Sequence, residues 1–370
     1  MTAPTNYYVD PVGGNDTTGD GSIGTPWATV QKAFNTITRN TTSGDQVNIK
    51  ASGTLTISGT WSLATYGTPT ESIPLVLRGY TSVANDGGIG VVSGNGGSIF
   101  NSTTIPLVII DMRFTNCGAN LMIRTGGTSF VRNCQFDNAS PPVSAGALRM
   151  NTGIVSYCLF TNIAGHGVYS STGVTVANCT FVNDTTNKFA SCVVYTGGSA
   201  EVSFCVFKLD STSIAIDNRS SGSIRANNCS IYSNAGTGSG IYINSANALM
   251  SVLNNIIVGF SGTGGKAIQS TAGSKLWNYG GNKVYNNLTN FDGNADVLND
   301  AGGNSTLSAS PFTDAANGDF SIGTEAKAAG IPSSFKGIST NQYLDPGAAQ
   351  RQEPAGGGGG RRPRIRAHGV

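Results

Sequence analysis

Apolar positions through the middle of the chain recur as Val-x-x-Cys-x-Phe. Phe114, Phe136, Phe160, Phe181, Phe207, Ile231, Ile257 and Tyr285 act as a ruler, 21 to 28 residues apart. Two residues before them stand Met112, Cys134, Cys158, Cys179, Cys205, Cys229, Asn255 and Lys283; five before stand Val131, Val155, Val176, Val202, Ala226 and Val252. Side chains alternate along a strand, so Cys and Phe share a face, whereas Val, three residues from Cys, breaks the parity. All three face inward only if the chain bends between Val and Cys. Asn133, Asn178, Asn228, Asn254 and Asn282 stand at that bend, and Asn tolerates the left-handed conformation a one-residue corner needs. Asn116, Asn138, Asn162, Asn183 and Asn287 mark the next turn, two residues beyond the ruler. One further apolar strand falls in each unit, as in "GVYS", "SIAID", "GIYIN" and "KAIQS". Three short strands per unit make one coil of a parallel β-solenoid.

Cysteine then reads as a small apolar filler stacked on its copies in neighbouring coils, about 4.8 Å apart. Stacked Cβ vectors run parallel, which disfavours disulfides along the ladder. Short ligand spacing is absent and the chain has 2 His, so no metal site is expected. Cys117 and Cys192 lie off the ladder.

A solenoid needs capped ends. In "TPWATVQKAFNTITR", Thr25 is the expected N-cap and Pro26 the first helical residue, with Trp27, Val30, Phe34 and Ile37 on one apolar helical face. The expected organisation is an N-terminal strand and capping helix in 1–45, solenoid coils in 46–290, a closing segment in 291–355, and a glycine linker with an arginine-rich tail in 356–370. "YYVDPVGGNDTTGDGSIGTPWATVQKAF" with "SGDQVNIKASGT", and later "SPFTDAANGDFSIG" and "YLDPGAAQR", resemble the opening and closing segments of pectate-lyase-like right-handed β-helix proteins. The resemblance implies a right-handed winding, so that with the cap and tail read from the residues the expected fold is an all-β, right-handed parallel β-helix with an N-terminal capping helix and a flexible basic C-terminal tail. The catalytic residues of the superfamily are not matched one by one, so its lyase activity is not carried over.

Charged residues make up only 11% of the chain, with Gly at 51, which suits tight turns and a polar β surface. The net charge is +2, and Arg361, Arg362, Arg364 and Arg366 carry +4, leaving the remainder at −2. No basic face for nucleic acid is expected, no stretch approaches the roughly 20 apolar residues of a membrane span, and "MTAPTNYYVD" reads as no secretory signal.

Candidate acids are Asp137, Asp184, Glu201, Asp210 and Asp217. Asp184 and Asp210 each lie three residues past a ruler in neighbouring units and are candidates to meet as a carboxylate pair. His166 is a candidate base. Local turn hydrogen bonding is the commoner use of such acids, so no catalytic set, metal or cofactor is assigned. The stronger lead is a column of outward side chains on the middle strand, read as Arg124, Arg149, Tyr169, Tyr195, Ala215, Tyr242 and Gln269. Arg124, Arg149, Tyr169, Tyr195 and Tyr242 are the expected glycan- or partner-binding residues; the alternative is aromatic stacking for stability alone. Arg361, Arg362, Arg364 and Arg366 are expected to dock on acidic groups of a partner. The expected function is a structural or adhesive virion protein, such as a tail spike, fibre or capsid decoration, in a homotrimer or other symmetric assembly. It would contact other virion proteins and host glycan. The alternative is an extracellular polysaccharide lyase or hydrolase.

Overall fold

The computed structural model describes residues 3–323 except 103, 119–121, 140–145, 184–187, 211, 272 and 293–295, together with 326, 330, 347 and 348. Asp184 and the four tail arginines lie outside these residues. The chain winds as an all-β parallel solenoid whose coils present three faces. Eleven strands, from Thr54–Thr56 to Ser305–Thr306, stack as one parallel sheet and form the third face. The first two faces belong to one 19-stranded sheet, because Ile123–Arg132, Gly146–Ser156 and Gly165–Ala177 run from one face into the next as single strands. Their bend coincides with a register shift between Met150 and Thr152. Gly153 sits there at φ +127°, where a Cβ would come within 1.8 Å of the Ser129 carbonyl, so no side chain fits.

The ruler residues meet rung on rung: Phe114, Phe136, Phe160, Phe181, Phe207, Ile231 and Ile257 occupy one register. Phe136, Phe160, Phe181 and Phe207 stack with centroids 4.7–4.9 Å apart and planes within 7°. Each such aromatic pair contributes roughly 0.5–1.5 kcal/mol beyond its burial. The last ruler position is Val284, which pairs with Ile257, rather than Tyr285. The expected corner is present, with Asn133, Asn178, Asn228 and Asn254 at φ of 51–56°. In the coil that ends the ruler, Gly281 at φ 66° turns the corner and frees Asn282 for the interior.

All seven cysteines are free and buried. The ladder thiols do more than fill space. Cys158, Cys179, Cys205 and Cys229 each donate to the carbonyl of the Val one coil earlier, Val131, Val155, Val176 and Val202, with Sγ···O of 3.6–3.8 Å. Asn255 and Asn282 take over the position and donate to Ala226 and Val252 at 2.8 Å. Burial holds the thiols of Cys134, Cys179 and Cys205 well above their ordinary range, so they stay protonated donors. Cys192, off the ladder, is buried in the same core.

At the N-terminal end the helix is Val30–Thr36, capped by Thr29, shorter than the sequence suggests. Asp16 accepts from the backbone of Ala28 and Thr29 and from the Thr29 hydroxyl at 2.7–3.1 Å, drawing Thr25 and Pro26 into the preceding loop. Trp27, Val30, Phe34 and Ile37 are buried as expected. Near the other end, the hairpin Phe312–Asp314 and Asp319–Ile322 covers the outside of the third face, packing Phe312 and Phe320 with Ile256 and Val258. Tyr285 packs against this outer cluster, which explains its displacement from the ruler.

Candidate functional site

The ladder of the first face assigns its outward column directly. Asn101 pairs with Arg124, Arg124 with Arg149, and Arg149 with Tyr169. The column then continues through Val194, Asp217, Tyr242 and Gln269. Arg124, Arg149, Tyr169 and Tyr242 therefore stand where the sequence places them. Tyr195 and Ala215 do not. The strand Phe189–Tyr195 shifts register against its neighbour between Gly165 and His166, which turns Tyr195 inward. It is fully buried, with its hydroxyl donating to the Val174 carbonyl at 2.7 Å. Ala215 also faces the core. Asn101, Val194 and Asp217 are the column members that the sequence reading missed.

At the head of the column, Arg124 and Arg149 are side by side at rung spacing, about 4.8 Å. Like charges so close repel, and partial burial followed by the Arg149 charge lowers the pKa of Arg124. Among the described residues neither guanidinium has an ion-pair partner, and the Arg149 Nε is buried without a hydrogen bond. The Arg149 guanidinium lies over the Tyr169 ring, 4.9 Å from its centroid, which restrains it. Beyond Asn101 an open recess of ≈ 500 Å³ has Trp61, Phe100 and Ile105 among its apolar lining and Thr68, Asn101 and Ser102 among its polar lining. Recess, paired cations and ring thus follow one another along the solenoid. Chemically the head of the column offers convergent N–H donors and uncompensated positive charge to an anionic, hydroxyl-rich chain.

The column's centre is closed. Asp217 is fully buried, ion-paired with Arg219 at 2.7 Å and accepting from Ser191 at 3.1 Å. The other candidate acids among the described residues do not converge on it. Asp137 pairs with Arg113 and Asp210 with Lys188, at 2.7 and 2.8 Å. Glu201 belongs to the second face. His166 is fully buried, its ring 5.9 Å from that of Tyr169, so solvent does not reach it as a general base requires. Among the described residues no group of three or more His, Cys, Asp and Glu side chains is arranged to hold a metal ion.

No family model and no curated protein matches the chain. Among solved structures it is similar to the crystal structure of pectate lyase Pel9A, with a TM-score of 0.58 and 16% identity across 95% of this chain and 98% of that one. The fold is the pectate-lyase-like parallel β-helix. At that identity the likeness speaks for the backbone path alone.

Proposed function

We propose that this pectate-lyase-like β-helix is an adhesive scaffold that holds an acidic glycan along its first face. The observation that carries the reading is the Arg124–Arg149 pair, uncompensated among the described residues and set between the recess and Tyr169. Carboxylate or sulfate groups of a glycan would relieve the repulsion between the guanidiniums, and sugar hydroxyls would meet the polar rim at Asn101 and Ser102. The proposed place of action is the outside of a virus particle, in a symmetric assembly, with Arg361, Arg362, Arg364 and Arg366 as the attachment to other virion proteins. What supports that setting is the sequence: a low-charge Asn/Ser/Thr/Gly-rich body followed by a glycine linker and a basic tail.

Affinity electrophoresis through gels containing polygalacturonate tests the reading. The wild type is expected to be retarded, and Arg124→Ala/Arg149→Ala to bind about 100-fold more weakly, as loss of two charge-assisted contacts implies. Equal mobility of the two proteins would sink it. Release of unsaturated oligomers from the polymer would instead establish the lyase alternative.

A further inference from the structure

The second face changes character along the solenoid. Its central outward column runs Val76, Val108, Phe130, Ile154, Thr175, Glu201 and Arg225. The last three members are polar, as suits a solvated sheet surface. The first four are apolar, and Phe130 and Ile154, on adjacent rungs, are 42% and 40% exposed. Ile110 lies beside them, paired with Arg132, and Tyr157 is 56% exposed at the corner that follows. Apolar groups gathered into one open stripe, rather than scattered singly, mark a contact surface.

The flanks of the stripe say what covers it. Along Ile123–Arg132 the side chains of Thr128, Phe130 and Arg132 point outward in turn. At the Thr128 end lies Glu71, whose carboxylate accepts from the Thr128 N–H at 2.9 Å and its hydroxyl at 3.0 Å. At the other end the Arg132 guanidinium lies 5.5 Å from the Tyr157 ring centroid. Glu71 and Arg132 are both exposed, and among the described residues neither has an ion-pair partner. Opposite charges thus stand at one height on either side of Phe130, roughly 13 Å apart along the strand. Rotation about an axis parallel to the solenoid and close to Phe130 exchanges the two flanks without changing their height. A copy placed by that rotation covers the stripe with its own stripe and sets Glu71 against Arg132 of the next copy. The contact is self-complementary and closes on itself. An unrelated partner would have to supply both charges at this spacing, whereas a second copy already carries them.

We propose that the Phe130–Ile154 stripe is the contact between parallel copies of this chain, with Glu71 of each copy ion-paired to Arg132 of the next. This rests on the reading above only for the symmetric assembly, to which it gives a surface and a direction, and is independent of the glycan and of the arginine pair on the first face.

Sedimentation equilibrium of the full chain is the test. The wild type is expected at the mass of a closed ring of two or three chains. Phe130→Ser/Ile154→Ser changes exposed positions, so its melting temperature should stay within about 2 °C of the wild type while it sediments as a monomer. Arg132→Glu sets like charges together and should associate about 100-fold more weakly, and Glu71→Arg likewise. The double reversal Glu71→Arg/Arg132→Glu restores opposite charges across the contact and should recover association to within about tenfold of the wild type. A monomeric wild type, an assembly that survives the serine pair, or a double reversal no stronger than the single ones would overturn the proposal. Polygalacturonate gels report separately on Arg124 and Arg149, so that either proposal fails without the other.

Discussion

The interior column two residues before the ruler is written in two chemistries. From Cys134 to Cys229 it is a thiol ladder; from Asn255 through Asn282 to Asn304 it is an amide ladder. Both halves give the Val-position carbonyl of the preceding coil a donor, at 3.6–3.8 Å from sulfur in the four contacts of Cys158 to Cys229 and 2.8 Å from nitrogen. The amide half also accepts. Asn255 Oδ1 takes the Cys229 N–H, Asn282 Oδ1 that of Asn255, and Asn304 Oδ1 that of Asn282, at 2.9–3.0 Å. In the thiol half the corresponding acceptor is sulfur, as between the Cys158 N–H and Cys179 Sγ at 3.5 Å. Weak polar contacts accompany the phenyl stack; strong ones accompany Ile257 and Val284. One backbone geometry is thus held by packing in one stretch and by hydrogen bonds in the other.

If that division is right, the two halves should fail differently. Phe160→Ala, in the middle of the phenyl stack, is expected to cost about 4 kcal/mol, from lost burial plus a cavity its stacked neighbours cannot close. Urea unfolding checks it, and a cost below about 1.5 kcal/mol, the range of a tolerated core swap, would break the packing half of the comparison.

Next in size is the contrast between Asn282→Ala and Cys205→Ala. Asn282 serves the Val252 carbonyl, the Asn255 N–H and side chain, and Asn304. Its loss strands buried polar groups, at about 3 kcal/mol. Cys205 gives only long contacts to Val176 and Ser203, at 3.6 and 3.3 Å, and its truncation should cost about 1 kcal/mol. Equal costs for the two would show that the thiols carry the same hydrogen-bonding duty as the amides.

The repeat disclosed the coil, the corner and the interior column because those rest on local rules, side-chain parity and the left-handed tolerance of Asn, applied many times over. Legibility ended where one residue shifted the frame. Gly281 took the corner from Asn282, so Val284 rather than Tyr285 faces inward. The shift beside Phe189–Tyr195 exchanged Tyr195 for Val194. Parity flips with a single insertion, and composition does not reveal which side of a rung has slipped. Asn101 was hidden for another reason: its strand, Phe100–Asn101, is two residues long and carries no periodicity.

The smallest effect separates the halves by pH. Burial raises the thiols of Cys134, Cys179, Cys192 and Cys205 well above the ordinary range, and that of Cys117 to about 12. In the unfolded chain a thiol ionises near pH ~8.5. Above that pH the native state holds protons that the unfolded state has released, so stability is full below pH ~8.5 and declines as pH rises toward the native values. Each such thiol contributes a slope of about 1.4 kcal/mol per pH unit once its unfolded form is ionised. The amide rungs have nothing to titrate. Urea midpoints should therefore fall between about pH 8.5 and 10, below the ordinary ionisation of Tyr and Lys. The fall should be shallower by about one proton in Cys205→Ala and unchanged in slope in Asn282→Ala. Midpoints that hold level to pH 10 would mean the thiols are not held in a dry interior, and the contrast between the two ladders would lose its physical basis.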